Sequence, residues 1–361
     1  MGRICFFNTA IAWGGGEKWH LETSTYLHTN GHDVIAVAHK KSVLLQKLKE
    51  RNIPVIAVDI TNLSFLNPFK HASLKKKLDQ YSIDTIVMNL SRDVKIAGLC
   101  AKSIGVNRII YRRGSAIPIK NTFLNRYYFS QILTEILANS LATKKTILQN
   151  NLNLFAEEKI KVIYNGIDIP KNLPEVTIGH ESRDKPFTLI NLGRLEAQKN
   201  QSFLIQLAAE LKKRDVPFKL IIGGDGRLKE ALQNEISKFE VENIVELVGF
   251  IGNPLEFMAS GDVFVLPSLW EGFGYVLAEA AVCKKPIVAF DLSSNPELVV
   301  DGKTGFLVTP NQIDPFADAI EKLYKNPKLA KEMGEEGFEH VRTNFDKKEN
   351  LKTIEAYLIN G

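Results

Sequence analysis

Cysteine is scarce in this chain of 361 residues: Cys5, Cys100 and Cys283 lie far apart, with no C-x-x-C pair. That spacing argues against a disulfide framework and against a thiolate zinc site, and it fits a reducing compartment in which the thiols act as small buried hydrophobes. Long apolar runs are also missing. Nothing approaches the ~18–20 consecutive apolar residues that cross a bilayer, and the opening Met1-Gly-Arg-Ile-Cys-Phe-Phe7 is too short for a secretory leader. The expected location is therefore cytoplasmic. The seven histidines show no H-E-x-x-H spacing, so no metal site and no cofactor are implied. No helix-turn-helix or RRM signature marks a nucleic-acid module.

What is present is ordinary globular composition, 45% hydrophobic and 24% charged, at a length that suits two domains rather than one. The formal net charge of +5 is uneven. Residues 1–168 hold 23 Lys+Arg against 12 Asp+Glu, net +11, and residues 169–361 hold 23 against 29, net −6. A basic half of this size is expected to face something anionic: a phosphorylated or lipid-linked molecule, an anionic membrane surface, or nucleic acid. Lys40-Lys41, Lys75-Lys76-Lys77 and Arg112-Arg113 are the local clusters, and Arg126 sits on a predicted helix with Phe123, Tyr127, Tyr128 and Phe129.

Apolar strand-like runs at 3–9, 33–38, 54–60, 84–90 and 108–111 alternate with helical stretches near 16–30, 42–52, 68–81 and 94–104. A second series of strands follows at 187–193, 218–224, 244–249, 262–266 and 286–291. Short connections between alternating strands and helices predict α/β domains with doubly wound parallel sheets. The polar, proline-bearing stretch 170–186 reads as the linker.

The most informative run is Pro267-Ser-Leu-Trp-Glu-Gly-Phe-Gly-Tyr-Val-Leu-Ala-Glu-Ala280, a strand exit, a glycine turn and a helix start. Gly272 and Gly274 let the backbone approach a ligand, and the helix start aims free amides at an anion. Glu271 and Glu279 then bracket hydroxyl-rich groups on either side of a phosphate. Earlier, Gly193-Arg-Leu-Glu-Ala-Gln-Lys-Asn200 places Arg194 and Lys199 around another strand-to-helix turn, where cations meet phosphate oxygens. The loop Ala10-Ile-Ala-Trp-Gly-Gly-Gly-Glu-Lys-Trp-His20 and the turn Gly223-Gly-Asp-Gly226 are further glycine-rich strand exits.

These segments resemble the retaining GT-B glycosyltransferases of family 4 type. The E-x7-E run, the G-R-L-x-x-x-K turn and the G-G-x-E loop match, as do Val162-Ile-Tyr-Asn-Gly-Ile-Asp168, Val248-Gly-Phe250 and 296–307. The resemblance implies two Rossmann-like doubly wound parallel-sheet domains facing a central cleft. Residues 1–168 would bind the acceptor, with a last helix near 347–361 packing back on them, and 169–346 would bind a nucleotide-sugar. It implies a retaining transfer to a glycan or lipid-linked acceptor in cell-surface polysaccharide or lipopolysaccharide synthesis. The catalytic residues would be Arg194, Lys199 and Glu271. Gly14, Gly15, Gly193, Gly224, Phe250, Gly272, Phe273, Gly274, Tyr275, Val276 and Glu279 would bind the donor. Glu17, Arg112, Arg113 and Asn165 would contact sugar or acceptor, Tyr111-Arg-Arg-Gly114 standing where many relatives carry a histidine. No D-x-D triplet occurs, so Arg194, Lys199 and helix amides take the place of a metal at the diphosphate. A sugar-nucleotide epimerase, a phosphorylase-like enzyme, or a non-catalytic nucleotide- or nucleic-acid-binding protein are the alternatives left open.

Overall fold

The computed structural model describes residues 2–170 and 186–360. Most of the expected linker, 171–185, lies outside the described residues. The chain forms two compact units, Met1–Gly166 with Lys348–Gly361, and Ile167–Lys347.

Unit 1 is a seven-stranded sheet of β1 (Arg3–Asn8), β2 (Val34–His39), β3 (Val55–Val58), β4 (Ile83–Met88), β5 (Arg108–Arg113), β6 (Glu135–Ala138) and β7 (Ile160–Val162). Its order is β3-β2-β1-β4-β5-β6-β7, with all pairs parallel. Alternation along β1 shows why both faces are covered. Ile4 and Phe6 join one apolar layer with Trp19, Leu27 and Leu48, and Cys5 and Phe7 join the other with Leu78, Ile96 and Tyr111. A strand buried on both sides must be apolar throughout, which is why these runs read as continuous.

The helix Lys347–Asn360 completes the first of those layers through Ile354 and Leu358. Arg108 anchors its end, donating to the carbonyls of Tyr357 and Leu358 at 3.1 and 3.0 Å and forking onto Glu135 at 2.7 and 2.9 Å. A guanidinium on the last carbonyls of a helix meets the negative end of its dipole.

Unit 2 is a six-stranded sheet of β8 (Phe187–Leu192), β9 (Phe218–Gly223), β10 (Val245–Gly249), β11 (Val263–Leu266), β12 (Ile287–Phe290) and β13 (Gly305–Val308), in the order β10-β9-β8-β11-β12-β13. All of its pairs are parallel as well. Strand order reverses between β1 and β4 in unit 1 and between β8 and β11 in unit 2. In open parallel sheets the carboxyl ends on either side of such a reversal splay apart and leave room for a ligand. The sequence motifs fall at those ends: the 10–20 loop leaves β1, the 193–200 turn leaves β8, and the 267–274 turn leaves β11.

Candidate active site

The turns of unit 2 are tied to one another by main chain. Gly193 N–H donates to the Gly223 carbonyl at 3.0 Å, Leu195 N–H to Asp225 at 3.0 Å and Leu228 N–H to Leu195 at 3.1 Å, so the exits of β8 and β9 form one braced surface. Gly224 is needed for that bracing. Its φ is +135°, and a Cβ there would sit 1.9 Å from the Gly193 carbonyl oxygen. A third turn is attached by the Leu269 N–H to the Gln198 carbonyl at 2.9 Å and by the Gln198 side-chain amide to the Trp270 carbonyl at 2.7 Å. The loop after β12 closes the set: the Ser293 and Ser294 hydroxyls donate to the Glu271 carbonyl at 2.6 and 3.2 Å.

This scaffold brings Lys199 and Glu271 together across the strand-order reversal, Nζ to Oε1 at 2.5 Å, with both side chains largely buried. The two groups are a direct ion pair. Arg194 stands on the same turn, exposed and without an ion pair among the described residues. Gly274 adopts a left-handed φ of +89° and begins the helix Tyr275–Val282, so the amides of Tyr275 and Val276 occupy its first turn. Glu279 lies one turn further on, half-buried. The result is one exposed cation, one paired cation, a helix amino end and two carboxylates on a single sheet edge. Such a set can hold a phosphorylated, hydroxyl-rich ligand.

Two further residues carry the donor-binding expectation. The Phe273 side chain is buried against Tyr275 and Phe345, ring centroids 5.3 and 5.5 Å away, so only its backbone is available to a ligand. Phe250 follows β10 at the sheet's edge and is 83% exposed.

In unit 1, Gly14 caps the helix Gly15–Thr29, and Glu17 in its first turn is buried, accepting from Asn8 at 3.1 Å and Asn89 at 3.4 Å. Arg112 donates to Asn89 at 3.2 Å and to Asn165 at 2.9 Å, and its guanidinium lies 5.0 Å from the Trp19 ring. At 2% exposure Arg112 is no surface charge. Its expected part in a cluster facing an anionic surface is therefore corrected: it is a desolvated cation held by amide oxygens and an aromatic face. Burial, helped by that positive charge, holds His20 well below the usual histidine range. Arg113 points elsewhere, donating to the Tyr111 hydroxyl at 3.3 Å and to the Ile117 carbonyl.

Sequence reasoning missed Asn8 and Asn89, although each carried a signal: a lone polar residue closing an apolar strand. It also missed the buried Asp93, which accepts from the Thr9 hydroxyl and from the Leu90 N–H at 3.1 Å; burial pushes its carboxyl up to about 7. Among the described residues no group of three or more His, Cys, Asp or Glu could hold a metal ion. No helix among them is long and apolar enough to cross a membrane.

Residues 13–171 match the model of Glycosyltransferase Family 4, and residues 175–340 match that of Glycosyl transferases group 1. The chain is a glycosyltransferase of family 4 type. The transferase is 29% identical over 82% of both chains to the N-acetylgalactosamine-N,N'-diacetylbacillosaminyl-diphospho-undecaprenol 4-alpha-N-acetylgalactosaminyltransferase of Campylobacter jejuni. It is 27% identical, over 77% of its length and 76% of the relative's, to the GDP-mannose-dependent alpha-(1-6)-phosphatidylinositol monomannoside mannosyltransferase of Mycolicibacterium smegmatis. Its fold is that of Anabaena HepE, solved in complex with UDP, with a TM-score of 0.84 at 22% identity over 99% of this chain and 100% of that one. Both the GT-B architecture and the assignment as an enzyme of glycosyl transfer follow.

Proposed function

We propose that the transferase moves a sugar from a nucleotide-sugar held by unit 2 to a glycan or lipid-linked acceptor bound by unit 1, with retention of anomeric configuration, in cell-surface polysaccharide or lipopolysaccharide synthesis. The observation that carries this reading is the Lys199–Glu271 pair beside the exposed Arg194, at the strand-order reversal of the second sheet. Relatives whose names specify a GDP-mannose donor and a diphospho-undecaprenol acceptor support it.

In this reading the donor diphosphate lies against Arg194, Lys199 and the amides of the 274–276 helix start, with Gly193 and Gly224 bracing the turn beneath. Charge grows on the leaving diphosphate as the anomeric carbon–oxygen bond breaks, and fixed cations aimed at that charge lower the barrier. A diphosphate offers Lys199 a second anion, which frees Glu271 to accept from sugar hydroxyls. Glu279 accepts from the nucleotide ribose. The acceptor hydroxyl attacks the same face of the anomeric carbon, and its proton passes to the departing phosphate oxygen. No protein nucleophile is required.

Product analysis tests this directly. Incubation with a panel of α-linked nucleotide-sugars and a short-chain lipid-linked acceptor should give an α-linked product, read from the anomeric proton coupling by NMR. A β-linked product would contradict retention, and epimerised or phosphorolysed sugar without transfer would contradict the reaction.

A further inference from the structure

Unit 1 contains a cavity of about 420 Å³ that the site described above does not use. It opens where β5 ends, under the loop that runs from there to the helix Phe123–Tyr127. Three cations line it, Lys95, Arg113 and Lys120, and no carboxylate does. None of the three has an ion pair among the described residues. The contrast along β5 is informative. Arg108 at its start is neutralised by a fork onto Glu135, whereas Arg113 at its end has only a hydroxyl and a carbonyl as acceptors, and its Nε is buried without a partner. An arginine left unneutralised and partly desolvated inside a concave wall is a site for an anion, and a guanidinium fork fits phosphate best.

The rest of the wall is mixed: Tyr111, Pro118, Ile119, Leu124 and Phe129 are its apolar part, and Ser91, Thr122 and Asn125 are polar. The pocket's shape is fixed by local hydrogen bonds, the Asn125 side-chain amide to the Lys120 carbonyl at 2.7 Å and the Asn150 side-chain amide to the Ile119 carbonyl at 2.9 Å. The helix that supplies Leu124 also leaves Phe123 74% and Tyr127 41% exposed. A volume in the range of small-molecule sites, about 300–1,000 Å³, thus combines three cations with an apolar patch. We infer that this pocket binds the phosphoryl group of an acceptor carrying an apolar chain, with Arg113, Lys95 and Lys120 on the phosphate and the Leu124 helix against the chain. The inference rests on the proposed lipid-linked acceptor and assigns that acceptor's anionic end to particular residues.

Calorimetric titration of the full chain with farnesyl diphosphate, inorganic diphosphate and farnesol tests it. Farnesyl diphosphate should bind at least tenfold more tightly than inorganic diphosphate, and Arg113→Gln should weaken it tenfold or more. If Arg113→Gln fails to fold, Lys120→Gln on the exposed loop should show the same direction, with a smaller loss. Unchanged affinity in both variants, or affinity lost in Arg194→Ala but kept in Arg113→Gln, would overturn the assignment. Inorganic diphosphate binding as tightly as the farnesyl ester would overturn the apolar-chain half of it. Nucleoside diphosphates titrated into the same sample separate the two readings. If they bind and farnesyl diphosphate does not, the pocket assignment fails alone. If farnesyl diphosphate binds and no nucleotide does, the pocket stands and the proposed function fails.

Discussion

Lys199 and Glu271 are each other's nearest opposite charge, so neither can be removed without leaving the other desolvated and alone. Truncating one partner of such a pair costs stability as well as function. Arg194, exposed on the same turn, carries no such structural debt. Arg194→Ala should therefore lower turnover ~10²-fold or more with an unchanged Tm, and Lys199→Ala should lower both. Turnover near the parent value in Arg194→Ala, measured at saturating donor, would remove that residue from the site. Lys285 makes a cleaner stability experiment. It is fully buried, its Nζ has no hydrogen-bond partner, and burial, opposed by the nearby Asp262, brings its ammonium down to about 8. Because the folded-state value lies below the unfolded one, the unfolded chain binds more protons between about pH 8 and 10.5, and stability should rise with pH across that window. Lys285→Met should thus raise Tm at pH 7, by about 1–3 kcal/mol of stability, and the gain should shrink by pH 10. A gain that does not change with pH would contradict this. The misreading of Arg112 belongs to the same scale. Charge is visible in a sequence, but the amide oxygens of Asn89 and Asn165 that accept its burial come from 23 and 53 positions away.

The long buried strands and their helices were legible as elements because burial on both faces writes an uninterrupted apolar run. Strands β6, β7 and β13 were not. They are four, three and four residues long and each carries a residue that breaks the apolar run, Glu135, Lys161 and Gly305, whereas the four-residue β3, β11 and β12 are apolar throughout. The turns were legible as glycine-rich, yet the reason for one glycine was not. Gly224 is glycine because the β8 turn packs on it, a contact between segments 31 positions apart. Gly224→Ala would force its Cβ against the Gly193 carbonyl at a positive φ. It should destabilise unit 2 by roughly 2–4 kcal/mol and move the Arg194 turn with it. Gly252→Ala, with nothing within 4 Å of its Cβ, is the matched control and should be silent. Equal Tm values for the two variants would show that the turns are not braced as described.

At the scale of the molecule, the excess of +11 over residues 1–168 stands beside exposed apolar groups in the same unit. Lys75, Lys76 and Lys77 are exposed on the helix Pro68–Asp79, whose first turn leaves Phe69 83% exposed. Four or five such cations at ~1 kcal/mol each near an anionic leaflet give reversible, salt-sensitive attachment. Reversing Lys75, Lys76, Lys77 and Arg126 should abolish co-sedimentation with phosphatidylserine vesicles at low salt, and binding by the parent that ignores salt would sink the idea. The central claim is narrower: the edge of the second sheet that joins Arg194, the Lys199–Glu271 pair and the 274–276 helix start holds a nucleotide-sugar through its diphosphate. The most direct measurement is calorimetric titration with uridine, guanosine, adenosine and thymidine diphosphates, repeated on Arg194→Ala. One nucleotide should bind the parent and lose about tenfold or more in affinity in the variant. Failure of all four to bind, or binding that Arg194→Ala leaves unchanged, would contradict the account.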